Sequence, residues 1–211
     1  MRKKIKLFDP VIGISEERET VKILRSGYWA SGAGSGKVLQ FENKFREYLG
    51  SDQCIAVNSG TAALNLSLSL LNIKNKEVIL PSLSFVSTAH AVTLNGGIPV
   101  FVDVDAKTCC IDPKQIRKAI SKKTAVILPV HFAGMACNMD EILDVCKENN
   151  IHLIEDAAHA SGAKHNHKKI GRHGMAICFS FHPVKNIAML TGGLISINHK
   201  QHKKLKKLLN E

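Results

Sequence analysis

Short apolar runs alternate with helix-length segments along most of the chain, and this alternation constrains the fold more than any other feature. The runs are residues 53–57, 77–81, 99–102, 124–130, 152–155 and 176–181. Helix candidates lie at 41–48, 61–71, 87–94, 113–119 and 139–149. Most of the runs are continuously apolar, the pattern of strands covered on both faces of a parallel sheet. Strand–helix alternation predicts an α/β fold with right-handed crossovers, a mostly parallel sheet flanked by helices. A last run, 193–197, follows Lys185 after a loop too short for a parallel crossover, so it is expected to be antiparallel and to make the sheet mixed. A basic amphipathic helix is expected over 200–209.

At 211 residues the chain can bury a sizeable core without disulfides or metals. Its 45% apolar and 22% charged residues exclude a disordered or collagen-like chain. No apolar run reaches the length of a transmembrane helix. The start, M-R-K-K-I-K-L-F-D-P, lacks the apolar stretch of a secretory signal. The six cysteines form no C-x-x-C pair and several sit inside apolar runs, as buried free thiols do, so a reduced, cytoplasmic protein is expected. His165, His167 and His173 cluster in a polar stretch, but nothing completes a ligand set at metal spacing, so a surface loop is expected there.

The net charge of +11 is concentrated at the ends. Arg2, Lys3, Lys4 and Lys6 against Asp9 give +3, and Lys200, Lys203, Lys204, Lys206 and Lys207 against Glu211 give +4. Such a tail could meet nucleic acid or an anionic membrane. No aromatic residues interleave the lysines and no nucleic-acid motif accompanies them, so neither partner is expected.

Three constellations each follow an expected strand, where ligands of open α/β sheets bind. In V-N-S-G-T-A-A-L (57–64), Gly60 permits a tight turn into a helix whose start, with the Ser59 and Thr61 hydroxyls, could cradle a phosphate. A plain Ser/Thr helix cap accounts for the same residues. In H-L-I-E-D-A-A-H-A (152–160), Glu155 and Asp156 end a buried strand. Asp156 could pair with a protonated ring nitrogen, bind a metal or cap a helix. His159 could bond a ligand oxygen or simply pack. In C-F-S-F-H-P-V-K-N (178–186), Lys185 stands four residues after the strand. Desolvated there it would have the lowered pKa that a Schiff-base lysine requires, whereas a lone lysine is more often an exposed loop residue. Ser180 could donate to a phosphate.

G-A-G-S-G-K (32–37) imitates a P-loop without being one. Ser31 stands where its first Gly belongs, Val38 follows the Lys, and no apolar strand precedes it. No G-x-G-x-x-G opens a helix after a strand either.

A phosphate cradle, a carboxylate for a ring nitrogen and a Schiff-base lysine, in that order, are the needs of pyridoxal phosphate. The sequence resembles the DegT-type nucleotide-sugar aminotransferases, of the fold-type-I pyridoxal-phosphate class. The resemblance runs through S-G-Y-W-A-S-G (26–32), Phe41 and Glu42, N-S-G-T-A-A-L (58–64), P-S-L-S-F-V-S-T (81–88) and P-V-F-V-D-V-D (99–105). It continues through P-V-H-F-A-G (129–134), E-D-A-A-H-A (155–160), G-R-H-G (171–174) and F-S-F-H-P-V-K-N (179–186).

The resemblance implies roles position by position. Lys185 matches the lysine that carries pyridoxal 5'-phosphate, and Asp156 the acid paired with its pyridine nitrogen. Gly60, Thr61 and Ala62 match the phosphate-binding turn, and Ser180 a further phosphate ligand. Phe85 matches the aromatic that stacks on the ring, and His159 a residue beside the ring hydroxyl. Tyr28, Trp29, Ala30 and Ser31 match a loop bordering the sugar nucleotide. The implied reaction moves an amino group, with glutamate as donor, to a keto-sugar nucleotide in amino-sugar, surface-polysaccharide or lipopolysaccharide biosynthesis, by a cytoplasmic homodimer.

Three departures stand beside the resemblance. Leu190 and Thr191 replace a Gly and an acid, and Leu would resist a positive φ if that position required one. His90 stands where Asn is common. The family runs to about twice this length, so 1–211 is expected to be the cofactor-binding large domain without the small C-terminal domain. The alternative is a truncated, non-catalytic remnant, or a cofactor-binding half that needs a second chain.

Overall fold

The computed structural model describes residues 6, 9–27 and 36–198. Within them the chain runs α1 (Ile14–Ser26), α2 (Gly36–Leu49), β1 (Gln53–Val57), α3 (Gly60–Ser69), β2 (Glu77–Pro81), α4 (Val86–Leu94), β3 (Ile98–Val102) and α5 (Pro113–Ala119). It continues through β4 (Thr124–Ile127), a 3-10 turn (Phe132–Gly134), α6 (Met139–Asn149), β5 (His152–Asp156), β6 (Lys164–His165), β7 (Lys168–Lys169), β8 (Ala176–Ser180) and β9 (Gly193–Ile197).

Seven strands form one sheet in the order β1-β9-β8-β5-β4-β2-β3. Strands β3, β2, β4, β5 and β8 run parallel. β9 is antiparallel to both β8 and β1, as its short lead-in demands. Alternate residues along the strands enter two apolar layers. Ile79, Ile127, Leu153, Ile177 and Phe179 face the layer holding Phe45, Ile116, Ile142 and Val145 of α2, α5 and α6. Val78, Leu80, Val126, Ile154 and Cys178 face the layer holding Ala63, Leu64, Leu68 and Val92 of α3 and α4. Both faces are therefore dry, which is why the strands read as continuous apolar runs. Each fully buried Leu or Ile contributes ~1.5–3 kcal/mol relative to leaving it exposed.

Helices α3, α5 and α6 start where short polar side chains replace missing backbone partners. Ser59 Oγ accepts from Ala62 N–H at 3.1 Å, and Asp112 accepts from Lys114 N–H at 2.8 Å with Pro113 beginning the helix. Phe45 packs edge-on against Phe179 (5.4 Å) and Phe181 (5.6 Å), and Phe41 against Phe181 (5.4 Å), pinning α2 to the end of β8.

The structure departs from the sequence expectations in several places. β4 ends at Ile127 rather than at residue 130, because Pro129 has no N–H for the ladder, and pairing resumes only as a bridge between Val130 and Asp156. α1 was not expected. It is closed by Gly13 N–H donating to Glu16 Oε2 at 2.8 Å and ends at Gly27 in the left-handed region, and none of its residues is buried. His165 and His167 lie on the β6–β7 hairpin, but the His173 side chain is 7% exposed, because buried Ile170 and Met175 on either side draw its turn inward. No cluster of three metal-type ligands occurs among the described residues. Leu190 is exposed and is not among the positive-φ residues; Gly192 takes that conformation instead, at φ 150°. All six cysteines are free. No described helix is long and apolar enough to cross a membrane. The expected helix at 200–209 lies outside the described residues.

At Gly193 the first residue of β9 passes the start of α3 so closely that a Cβ would lie 2.3 Å from the Ser59 carbonyl carbon and oxygen. Backbone cannot yield as a side chain can, so Gly193→Ala should cost about 1–3 kcal/mol. An unchanged urea-unfolding midpoint would contradict this close approach.

Candidate active site

The carboxyl ends of the parallel strands open into one cavity of about 300 Å³. Ser59, Gly60 and Thr61 enter it from the β1–α3 turn, Phe85 and Ser87 from the start of α4, and Val130 and Phe132 from beyond β4. Asp156, Ala158 and His159 enter from the end of β5. Ser180, His182, Val184, Lys185, Thr191 and Gly192 enter from the β8–β9 connection. Residues separated by more than a hundred positions thus meet because the crossovers return every parallel strand in the same direction.

Asp156 is the last residue of β5 and only 4% exposed. Its Oδ2 accepts from Thr88 Oγ1 at 2.9 Å and its Oδ1 from Ala158 N–H at 3.1 Å. Ser84 Oγ donates in turn to Thr88 Oγ1 at 2.6 Å. Among the described residues no ion pair holds this carboxylate. Thr88 lies within P-S-L-S-F-V-S-T (81–88), where the family resemblance assigns it no role. Its spacing of four from Ser84, one helical turn, was the available signal.

Lys185 is half-buried on the β8–β9 connection, whose shape is set by Phe181. Phe181 N–H donates to Gly192 O (2.9 Å) and Phe181 O accepts from Met189 N–H (2.8 Å), while Lys185 N–H bonds His182 O (2.8 Å). Asn186 Nδ2 donates to Ser161 O, and Thr191 Oγ1 donates to Asn58 O at 2.9 Å, tying the loop to the β1 end. Burial pushes the Lys185 amine below the ordinary lysine range, and the Asp156 carboxylate partly opposes this.

On another wall, His159 Nδ1 accepts from Ala133 N–H at 3.2 Å, which leaves the ring proton on Nε2. Burial, then the Lys185 charge, push this imidazole down, against the pull of Asp156. Its ring meets Phe132 edge-on at 5.8 Å. Phe85 lies at the mouth, 70% exposed.

Gly60 lets the start of α3 close on β8, since a Cβ there would lie 2.8 Å from Ser180 Cβ. Ser59, Thr61 and Ser180 therefore line the cavity where a helix begins, a set of residues suited to an anion. Ala62 is not among the lining residues, and its N–H is bonded to Ser59 Oγ. Tyr28, Trp29, Ala30 and Ser31 lie outside the described residues.

Because burial favours the neutral amine, Lys185 should gain reactivity toward acetic anhydride at a lower pH than a lysine in a short unstructured peptide. Competitive labelling read by mass spectrometry checks this. Equal or later reactivity would show that the amine is not desolvated.

Residues 11–211 match the DegT/DnrJ/EryC1/StrS aminotransferase family. The chain is 39% identical over 193 residues to the spore coat polysaccharide biosynthesis protein SpsC of Bacillus subtilis, covering 91% of this chain and 49% of that one. It spans about half the length of the curated relatives it matches. Spr1654 of Streptococcus pneumoniae, solved in its PLP form, superposes with a TM-score of 0.89 at 30% identity, over 98% of this chain and 58% of that one. Helicobacter pylori PseC, an aminotransferase involved in the biosynthesis of pseudoaminic acid, superposes with a TM-score of 0.89 at 28% identity, over 98% and 55%. With the family match spanning residues 11–211 and the fold superposing on solved members at TM-scores near 0.9, this chain belongs to the DegT/DnrJ/EryC1/StrS aminotransferase family.

Proposed function

We propose that residues 1–211 form the large, cofactor-binding domain of a pyridoxal-phosphate-dependent aminotransferase. The amino group passes from an amino acid, glutamate, to a keto-sugar nucleotide destined for polysaccharide or amino-sugar biosynthesis in the cytoplasm. The observation that carries this reading is that Lys185 and Asp156 line one cavity, together with the hydroxyl-lined start of α3. The names of SpsC and PseC support the sugar assignment, and the solved PLP form of Spr1654 supports the cofactor.

The residues present fit the group. A buried carboxylate with hydrogen-bond donors but no cationic partner suits a protonated ring nitrogen, since buried charges need a partner. A helix start lined by Ser59, Thr61 and Ser180 suits a phosphate. A desolvated lysine suits an aldehyde. Pyridoxal 5'-phosphate, when bound, supplies an electron-accepting ring and an aldehyde carbon that carries the amino group.

In this reading Gly60, Thr61, Ala62 and Ser180 form the phosphate end, with Ala62 contributing through the turn rather than by a free N–H. Asp156 would keep the ring nitrogen protonated, with its carboxylate held by the Thr88 hydroxyl. Phe85 would stack on the ring and His159 would stand beside the ring hydroxyl. Lys185 Nζ would hold the cofactor and, once released, would be the base that carries the proton between the amino-acid α-carbon and the aldehyde-derived carbon of the cofactor. Its lowered pKa brings a neutral amine nearer to working pH, as a general base needs. The family resemblance assigns the sugar-nucleotide loop to Tyr28, Trp29, Ala30 and Ser31.

A homodimer is part of the same reading. Phe85 and Val184 line the cavity at 70% and 50% exposure, and Val86 and Leu190, next in sequence to lining residues, are 55% and 93% exposed, apolar surface of the kind that subunits cover.

Addition of pyridoxal 5'-phosphate to the purified protein should produce a visible absorbance band beyond that of the free cofactor, and Lys185→Ala should abolish it. Absence of the band in the wild type would reject the cofactor assignment. Sedimentation should give twice the monomer mass, and a monomer at tens of micromolar would count against the dimer.

A further inference from the structure

We propose that His131 and Glu155 form a buried positioning pair that sets the two cavity side chains Asp156 and His159. The proposal rests on the cofactor reading for what the cavity holds, and on geometry alone for how the cavity is held.

Successive side chains of β5 leave on opposite faces of the sheet. Asp156 turns toward Thr88 and the cavity. Glu155 is fully buried and bonded to His131 Nε2 at 2.9 Å and to Gly174 N–H. His131 is fully buried too, and its Nδ1 accepts from Cys137 N–H at 3.1 Å. With Nδ1 an acceptor, the ring proton sits on Nε2 and points at Glu155. The nearest other titratable ring is His173, whose Nδ1 is 3.9 Å from Glu155 Oε2 and has no hydrogen-bond partner.

The pair does two things at once. The regular β4–β5 ladder stops at Ile127 and Leu153. Beyond it, His131 N–H donates to Asp156 O at 3.0 Å and Asp156 N–H donates to Pro129 O at 2.9 Å. The Glu155 side chain, by gripping His131, locks this second attachment, so the chain around Asp156 is fixed from the neighbouring segment.

The His131 imidazole also closes the loop that follows it, because Cys137 N–H is bonded to that same ring. Inside this closed loop Ala133 is held in the left-handed region at φ 50°, which a residue with a Cβ adopts only at a cost of about 1–2 kcal/mol. Ala133 is also the residue whose N–H bonds His159 Nδ1. Glu155 therefore orients His131, His131 clasps the loop, and the loop sets the tautomer and aim of His159. A buried carboxylate–imidazole hydrogen bond is a poor source of stability compared with apolar groups of the same volume. Its placement against two cavity residues is better accounted for by positioning.

Histidine side-chain NMR on the whole chain tests this without the cofactor. In the wild type, His131 and His159 should each show a single tautomer protonated at Nε2. In Glu155→Gln and His131→Gln, His159 should relax toward a mixture of tautomers, and its titration midpoint should rise toward the ordinary histidine value. In cofactor titrations read by the visible band, both variants should bind pyridoxal 5'-phosphate roughly tenfold more weakly, within the range that small misplacements produce. Thermal unfolding, followed in parallel, separates these effects from loss of fold.

The proposal is overturned if both variants only melt earlier while the His159 tautomer and midpoint stay as in the wild type. It is also overturned, with no variant needed, if wild-type His159 carries its proton on Nδ1. A missing cofactor band in the wild type would reject the cofactor reading and leave the NMR outcome standing by itself.

Discussion

A carboxylate taken out of water must find donors or a cation, or the fold carries its desolvation unpaid. At Asp156 the described residues supply donors alone, from Thr88 and the Ala158 backbone. Everything around the cavity follows from that placement. The side chain has to end a buried strand, a helix packed on the same face of the sheet has to bring a hydroxyl to it, and the open side has to face something that complements a negative charge. The amine of Lys185 feels the same carboxylate across the cavity, while its own burial acts in the opposite direction.

The sheet makes this placement possible. Crossovers return each parallel strand in the same direction, so the chemistry-bearing turns after β1, β4, β5 and β8 open on one edge. Antiparallel β9 inserts between β8 and β1 and brings Gly193 against Ser59, drawing the lysine loop and the start of α3 together. The cluster of Phe41, Phe45, Phe179 and Phe181 fixes the other side of that loop, because aromatic packing holds the strand end whose backbone folds the loop back on Phe181. Core packing and site geometry are here the same interaction at two depths.

Much of this was legible in the residues. The continuous apolar runs gave strands covered on both faces, and β1, β2 and β9 begin and end as expected, as do α5 and α6. The short stretch between Lys185 and β9 implied the antiparallel strand. What escaped had physical reasons. α1 buries nothing, so no apolar face against a core marks it. β4 stops early because a proline interrupts hydrogen bonding without interrupting hydrophobicity. The worry over Leu190 dissolved because the positive φ falls two residues later, at Gly192, and backbone conformation is not written in composition.

The sequence by itself determined the α/β class, the both-faces burial of the strands and the order in which hydroxyl turn, carboxylate and lysine occur, because periodicity and motif spacing are local properties of a chain. Only the tertiary structure decided that Thr88 bonds Asp156 across 68 positions, that His131 meets Glu155 across 24, and that Ala62 spends its N–H on its own helix cap. Such partners depend on strand order and register. Those are settled when two apolar layers close on the sheet, and no residue carries that information alone.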